Sequence, residues 1–485
     1  MAIKSFALVF LFLFFVSRCS GECEDPQRRR RRRLNAARQC RLQQLSPSRP
    51  SQRIEAEGGV TEFWDEREDQ LQCSGVSARR HIIRSRSMLV PLFENAPGVL
   101  YIQQGKALVG ISAPGCPESF HSGQRSPRSF EEGSSQQFQT DSHNKLYRVR
   151  QGDIMILPAG TTHWCYNDGD QDLIAIAVFD LNNQANQLEP SLRTFLLAGN
   201  FQEQSSSAGQ QYEQEKDPQR SSPRDNIIRA FDQQMISEAL NIPQDIVRQM
   251  QRSDKRGHII RVEQGLSHVW PEEQEEQEEC MDEARPKESQ FANGLEEAIC
   301  YARVQYNLDR PEEDSDVYSR QAGRLKSVDL NKLSALRFVD MSVEKINLRP
   351  GAMFVPHWTM NAHTIMYVTR GEGQVQVVDN RGRNLFNGRV RQGELIVVPQ
   401  YYVTMMKAGR NGFEWVSFKT AGMPVRNPLV GQFSMFRGVP VQVIANSYRI
   451  SIGQARQLKQ CRQQHFMLFP PTSSSASSDA TVASA

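Results

Sequence analysis

Several features that would steer a reading are missing from these 485 residues. No Asn-x-Ser/Thr occurs, so N-linked glycans are not expected. No Cys-x-x-Cys pair occurs, which leaves zinc-ribbon and thioredoxin-type chemistry without support. No apolar stretch is long enough to span a bilayer, so no membrane partner is expected. A net charge of +3 is close to balance and makes no case for nucleic acid. Hydrophobic residues reach only 39% while glutamine occurs 45 times, so polar insertions are expected between folded parts. One core does not suffice at this length, and two or more domains are the default.

What is present begins at the N-terminus. Met1-Ala-Ile-Lys precedes an apolar run over 6–16, and small residues follow at 17–21. That is the pattern of a secretory signal peptide over 1–21, cut after Ser20 or Gly21. Entry into the endoplasmic reticulum makes disulfides permissible. Cys23, Cys40, Cys73, Cys116, Cys165, Cys280, Cys300 and Cys461 lie outside the signal, and their spacing leaves the connectivity open. Cys165, beside Trp164 in an apolar strand, reads as a buried thiol. Six consecutive arginines at 28–33 suit either a nucleic-acid or localisation patch or a solvated tail over 22–35. Their place just behind a signal favours the tail.

The chain contains itself twice. Leu100-Tyr-Ile-Gln-Gln-Gly105 is answered by Met366-Tyr-Val-Thr-Arg-Gly371, and Arg148-Val-Arg-Gln-Gly152 with Pro158 by Arg389-Val-Arg-Gln-Gly393 with Pro399. β-branched runs punctuated by glycine read as strands and tight turns. Many short strands in each copy predict a mainly β chain of two jelly-roll barrels. A helical stretch follows each copy, over 231–250 with a break near Pro243 and over 441–458. The expected division is an N-terminal barrel with its helices over 36–253 and an acidic linker over 254–293. A C-terminal barrel with its helices over 294–468 and a Ser/Ala-rich tail over 469–485 follow. Residues 117–143, 203–225 and 271–290 lack apolar periodicity and read as loops.

Gly152-x5-Pro158-x-Gly160-x2-His163-x3-Asn167 is similar to the second motif of the cupin family, and the fold expected is a bicupin. In metal-binding cupins that histidine joins two histidines and a glutamate of a first motif, a set that suits manganese or iron. Measured against that pattern, Pro91, Phe93 and Gly98 stand at the other three positions of the first copy. The second copy keeps His357 but has Thr359, Thr364 and Thr404 in place of the rest, and Tyr401 where Gly160 stands. A single imidazole does not hold a catalytic divalent ion against water. His163 and His357 are therefore read as packed, vestigial residues, with no catalytic residue, no metal and no cofactor. His363 could join His357 only in a rearranged site.

Asn293-Gly-Leu-Glu-Glu-Ala-Ile-Cys300, Pro356-His-Trp-Thr-Met-Asn-Ala-His363 and Tyr367-Val-Thr-Arg-Gly-Glu-Gly-Gln resemble the 11S, legumin-type, seed storage globulins over nearly the whole chain. The resemblance implies a nutrient reservoir that does not catalyse. It implies cleavage between Asn293 and Gly294 by an asparaginyl endopeptidase, giving acidic and basic chains. It further implies bridges Cys40–Cys73 and Cys116–Cys300, trimers before the cut and hexamers after it, and delivery through the secretory pathway to protein storage vacuoles. Charge agrees with that division, because residues 294–485 hold 23 Lys/Arg against 15 Asp/Glu, a net +8 that leaves −5 for residues 1–293. Two rival classes stand beside it: a germin-like or dioxygenase-type enzyme with metal at His163 or His357, and a binding module lined by Trp164 and Trp358.

Overall fold

The computed structural model describes residues 42–113, 116, 120–122, 141–201, 224–252, 255–266, 299–300, 302–310, 315–460 and 468–470. The signal segment, the arginine run, Cys23, Cys40, Cys280, Cys461, Asn293 and Gly294 lie outside the described residues, as do most of the three loops read from composition.

Two β-barrels stand side by side. In the first, a seven-stranded sheet runs in the order Gln52–Ala56, Gly59–Phe63, Val76–Ile83, Leu173–Asp180, Gly98–Gln104, Asp153–Leu157 and Gln305–Asn307. It faces a sheet built from Thr194–Leu196, Ser87–Glu94, Thr162–Asn167, Lys106–Ser112 and Leu146–Arg150, with Ile259–Arg261 pairing Ser87–Glu94. Asp153–Leu157 is buried along its whole length, which is why its sequence runs apolar without alternation. The second barrel is one ten-stranded sheet, because Thr364–Val378 and Val403–Lys419 continue from one face to the other. The first of these turns the corner at Gly371, where φ is +74° and a Cβ would meet the Gly412 carbonyl oxygen at 2.3 Å. Only glycine fits there. Its counterpart Gly105, at φ +88°, separates two strands of the first barrel.

Each barrel has an apolar interior, and a third apolar layer joins them. In that layer Trp64, Val99, Tyr101 and Ile154 of the first barrel pack with Val343, Tyr367, Leu395 and Phe418 of the second. Trp64 and Tyr367 meet edge to face at 5.9 Å. The Tyr367 hydroxyl accepts from Arg80 Nη1 at 3.0 Å and donates to Gln103 Oε1 at 3.1 Å, so its polar tip is satisfied at the seam.

The halves also exchange backbone. Ser48 pairs with Leu395, and Leu45 is 1% exposed within the interior of the second barrel. In return Gln305–Asn307 completes the large sheet of the first barrel against Asp153–Leu157. Ile259–Arg261 falls within the stretch read as linker, yet it is an edge strand on Ser87–Glu94.

The helical stretch at 231–250 divides into Gln233–Leu240 and Gln244–Met250 around Pro243. Asp232 caps the first by accepting from the Gln234 and Met235 N–H groups, and Asn241 ends it in the left-handed region at φ +53°. The second stretch divides likewise into Val441–Tyr448 and Ile452–Gln460 about Arg449, also at φ +53°. Among the described residues no helix is long and apolar enough to cross a membrane.

Candidate functional site

Strand register lets the two barrels be compared position by position. Phe179 pairs with Ser77 and Gly98 in the first barrel, and Lys419 pairs with Ser342 and Thr364 in the second. Arg79, two residues beyond Ser77, therefore corresponds to Glu344, two residues beyond Ser342. An inward position that carries a cation in one barrel carries an anion in the other.

In the first barrel Arg79 Nη1 lies 3.0 Å from Glu94 Oε1, with the two side chains 1% and 3% exposed. The contact misses hydrogen-bond alignment and is a charge contact. Arg79 Nη2 donates to Thr194 Oγ1 at 3.1 Å, and the guanidinium lies 4.7 Å from the Phe179 ring centre. His163 sits beside this pair, with Nε2 3.7 Å from Glu94 Oε2 and Nδ1 donating to the Thr161 carbonyl at 3.4 Å. Further in, Thr61 Oγ1 lies 2.9 Å from His81 Nδ1 and 2.6 Å from His258 Nε2, so one hydroxyl serves both rings. Burial, and then the Arg79 charge, pushes His81 well below the ordinary imidazole range and His258 down to about 3.

In the second barrel Glu344 lies 2.8 Å from Arg426 Nη2 and 3.3 Å from Lys419 Nζ. Lys419 Nζ also donates to Thr364 Oγ1 at 3.0 Å. Burial would raise the Glu344 carboxyl, but the Arg426 and Lys419 charges outweigh it and the net shift is downward. Lys419 falls to about 8, through burial that Glu344 offsets only in part. His357 Nδ1 donates to the Val355 carbonyl at 2.8 Å. Burial, against the opposing pull of that bond and helped by Lys419 and Arg426, brings His357 down to about 3.

These residues do not fit a divalent metal. His163 and His357 each have fixed cations in the same barrel interior, and the carboxylates there are already engaged, Glu94 with Arg79 and Glu344 with Arg426 and Lys419. Thr404, opposite His357, donates instead to the Gln376 carbonyl at 3.0 Å. His363 Nδ1 accepts from the Gln400 N–H at 3.3 Å. Among the described residues no group of three His, Cys, Asp or Glu side chains could hold a metal ion. Trp164 lies against Gly110 on the neighbouring strand, while Cys165 beside it belongs to the barrel interior. Tyr401 holds the turn that Gly160 makes in the first barrel, at φ +70° against +72°. The turn has outlasted the glycine as well as the ligands.

The cysteines fall into place around these cores. Cys116 and Cys300 form a disulfide across a sequence separation of 184, with Cα atoms 5.2 Å apart. Cys73 is disulfide-bonded. Its expected partner Cys40 lies outside the described residues. Cys165 is a free, buried thiol that burial pushes up to about 12.

The model of the Cupin family matches residues 45–208 and 306–456. An 11S globulin seed storage protein 2 of Sesamum indicum is 44% identical over 472 residues, which is 96% of this chain and 98% of that protein. The chain belongs to the 11S seed globulins of the cupin family. This 11S globulin also superposes on crystalline coconut cocosin, an allergen, with a TM-score of 0.75 and 37% identity over 89% of this chain and all of that one. Against the recombinant pro-11S globulin of pumpkin the TM-score is 0.75 at 35% identity, again over 89% and 100%. Such relatives are storage proteins that do not catalyse, and the globulin described here is one of them. The enzyme reading is set aside.

Sequence reading placed His163 and His357 in the barrels but missed Arg79, Glu94, Glu344, Lys419 and Arg426. A signal existed. A charge at an inward position of an otherwise apolar strand, as in Val-Ser-Ala-Arg79 or Val-Ser-Phe-Lys419, must have an inward partner.

Two outcomes are expected. Arg79→Met leaves the buried Glu94 carboxyl without its cation, and should cost about 3–5 kcal/mol of unfolding free energy, while Arg79→Met with Glu94→Leu recovers most of it. Urea midpoints that are equal for the single and double variants would refute the pairing. Because His258 and His357 are neutral when folded but take up protons below about pH 6.5 when unfolded, stability is full above that pH. It is lost progressively as the pH falls toward 3. His357→Leu should flatten this slope, and an unchanged slope would show that its imidazole is not the buried neutral group described.

Proposed function

We propose that this globulin is a nitrogen and amino-acid reserve for germination, made as a proglobulin and carried through the endoplasmic reticulum to the protein storage vacuole. An asparaginyl endopeptidase cuts it once, between Asn293 and Gly294, into an acidic and a basic chain. The observation that carries this reading is the Cys116–Cys300 bridge, which spans that bond. The exchange of backbone supports it further. Gln305–Asn307, on the basic side of the cut, completes the first barrel, and Leu45 and Ser48, on the acidic side, lie on the second. A chain cut at 293 would stay interlocked.

Assembly follows from the two helical modules. Gln233–Leu240 buries no side chain, and Phe231 and Met235 are 53% and 71% exposed. On the other module Phe433 and Tyr448 are 74% and 57% exposed. Apolar groups displayed on two separate modules need covering. A head-to-tail contact between one module and the other module of the next subunit closes into a ring, and we assign the trimer to it. Hexamers then form from cleaved trimers.

The test is an Asn293→Ala proprotein, sized by chromatography and run on reducing gels. The expected result is one full-length band and trimers only, beside wild-type protein that splits on reduction and sizes as hexamers. Hexamers from the uncut variant would contradict the proposal.

A further inference from the structure

At the end of the second barrel away from His357, a cleft of about 350 Å³ opens among Arg324, Arg349, Arg370, Tyr318, Asn347 and Asn411. It lies along Ser342–Leu348 from Glu344 of the buried ion pair, about 10–17 Å away by strand rise. Glu414 also borders it, but that carboxylate is already engaged. Asn347 Nδ2 donates to its Oε2 at 2.8 Å, Thr369 Oγ1 donates to its Oε1 at 3.0 Å, and Lys345 Nζ lies 3.4 Å away. Among the described residues Arg324 has only a distant ion contact, 3.9 Å to an Asp309 oxygen that Lys345 Nζ approaches at 2.7 Å. Arg349 and Arg370 are exposed and have no carboxylate within ion-pair distance among the described residues. Among the described residues the wall therefore carries surplus positive charge.

Comparison with the first barrel shows that the barrel itself does not require this wall. Strand register matches Arg324, Asn347 and Glu414 with Val60, Ile82 and Ile174. Arg370 precedes Gly371 as Gln104 precedes Gly105. Of the basic residues only Arg349 has a basic counterpart, Arg84, and that one donates to the Glu57 carbonyl at 3.2 Å. At three of these five matched positions the first barrel carries an apolar side chain where the second lines the cleft with a charged or amide group.

We propose that the cleft binds a small multivalent anion, a polycarboxylate or a phosphate ester. Arg349 and Arg370 supply charge-assisted, fork-shaped hydrogen bonds. Asn411 supplies a neutral one. Several guanidinium groups spread around a cleft of this size call for more than one anionic group on the ligand, so a monocarboxylate is a poor fit. The inference does not depend on how the chain is processed or stored.

Calorimetric titration of the assembled full-length protein with citrate, with pyrophosphate and with acetate tests it. One saturable site per chain is expected for citrate or pyrophosphate and none for acetate, and whichever binds tighter identifies the source chemistry. Arg349→Gln and Arg370→Gln, both at exposed positions, should each weaken binding by roughly tenfold or more, the worth of one charged hydrogen bond. Arg84→Gln, at the matching place in the first barrel, should change nothing. Absence of saturable binding, indifference to the Arg349 and Arg370 changes, or equal weakening by all three variants would overturn the proposal.

Discussion

An ionised side chain sealed inside a β-barrel must meet its counter-charge there, because an isolated ion in a dry interior costs more than any one packing contact returns. Both barrels obey this constraint in the region where a metal cupin gathers its ligands. Arg79 answers Glu94 in the first, and Lys419 with Arg426 answers Glu344 in the second. Burial, helped by the cations of these pairs, holds His81, His258 and His357 neutral, and a divalent cation would face fixed positive charge. Reversal of sign at the matched positions Arg79 and Glu344 indicates that the two barrels reached the same result with different residues.

The other organising relation is the apolar seam between the barrels and the backbone exchanged across it. Trp64, Tyr367 and their neighbours make one layer from both halves, and short segments from each half finish the other. Burial of this kind does not depend on the continuity of the chain. A globulin built so can be opened at a surface bond and keep its fold, provided the opened segment carries none of the seam. Reserve and architecture are thus compatible: the polar insertions carry nitrogen, and the seam carries stability.

Much of the fold could be read from residues. The repeated Gly152 and Gly393 segments, the apolar runs at Asp153–Leu157 and Leu395–Val398, and the break at Pro243 each state their conformation locally. What escaped was non-local. Gln305–Asn307 is three residues of mixed polarity, and nothing in it indicates an edge strand of a barrel that began some 250 residues earlier. Ile259–Arg261 likewise reads as part of a polar stretch until its partner Ser87–Glu94 is known. Counting spacings showed that ligands were missing at Pro91, Phe93 and Gly98, but not what had replaced them. Arg79 and Glu94 lie on different strands, and Lys419 reaches Glu344 across 75 positions of sequence. Only register brings such pairs together.

Metal content is the most direct test of the claim that ion pairs have replaced the ligand sets. Protein purified without chelators and assayed by elemental mass spectrometry should hold far less than one manganese, iron, copper or zinc per chain. Added manganese should leave its thermal midpoint where it was. A stoichiometric metal that disappears from His163→Ala or His357→Ala protein would contradict the account.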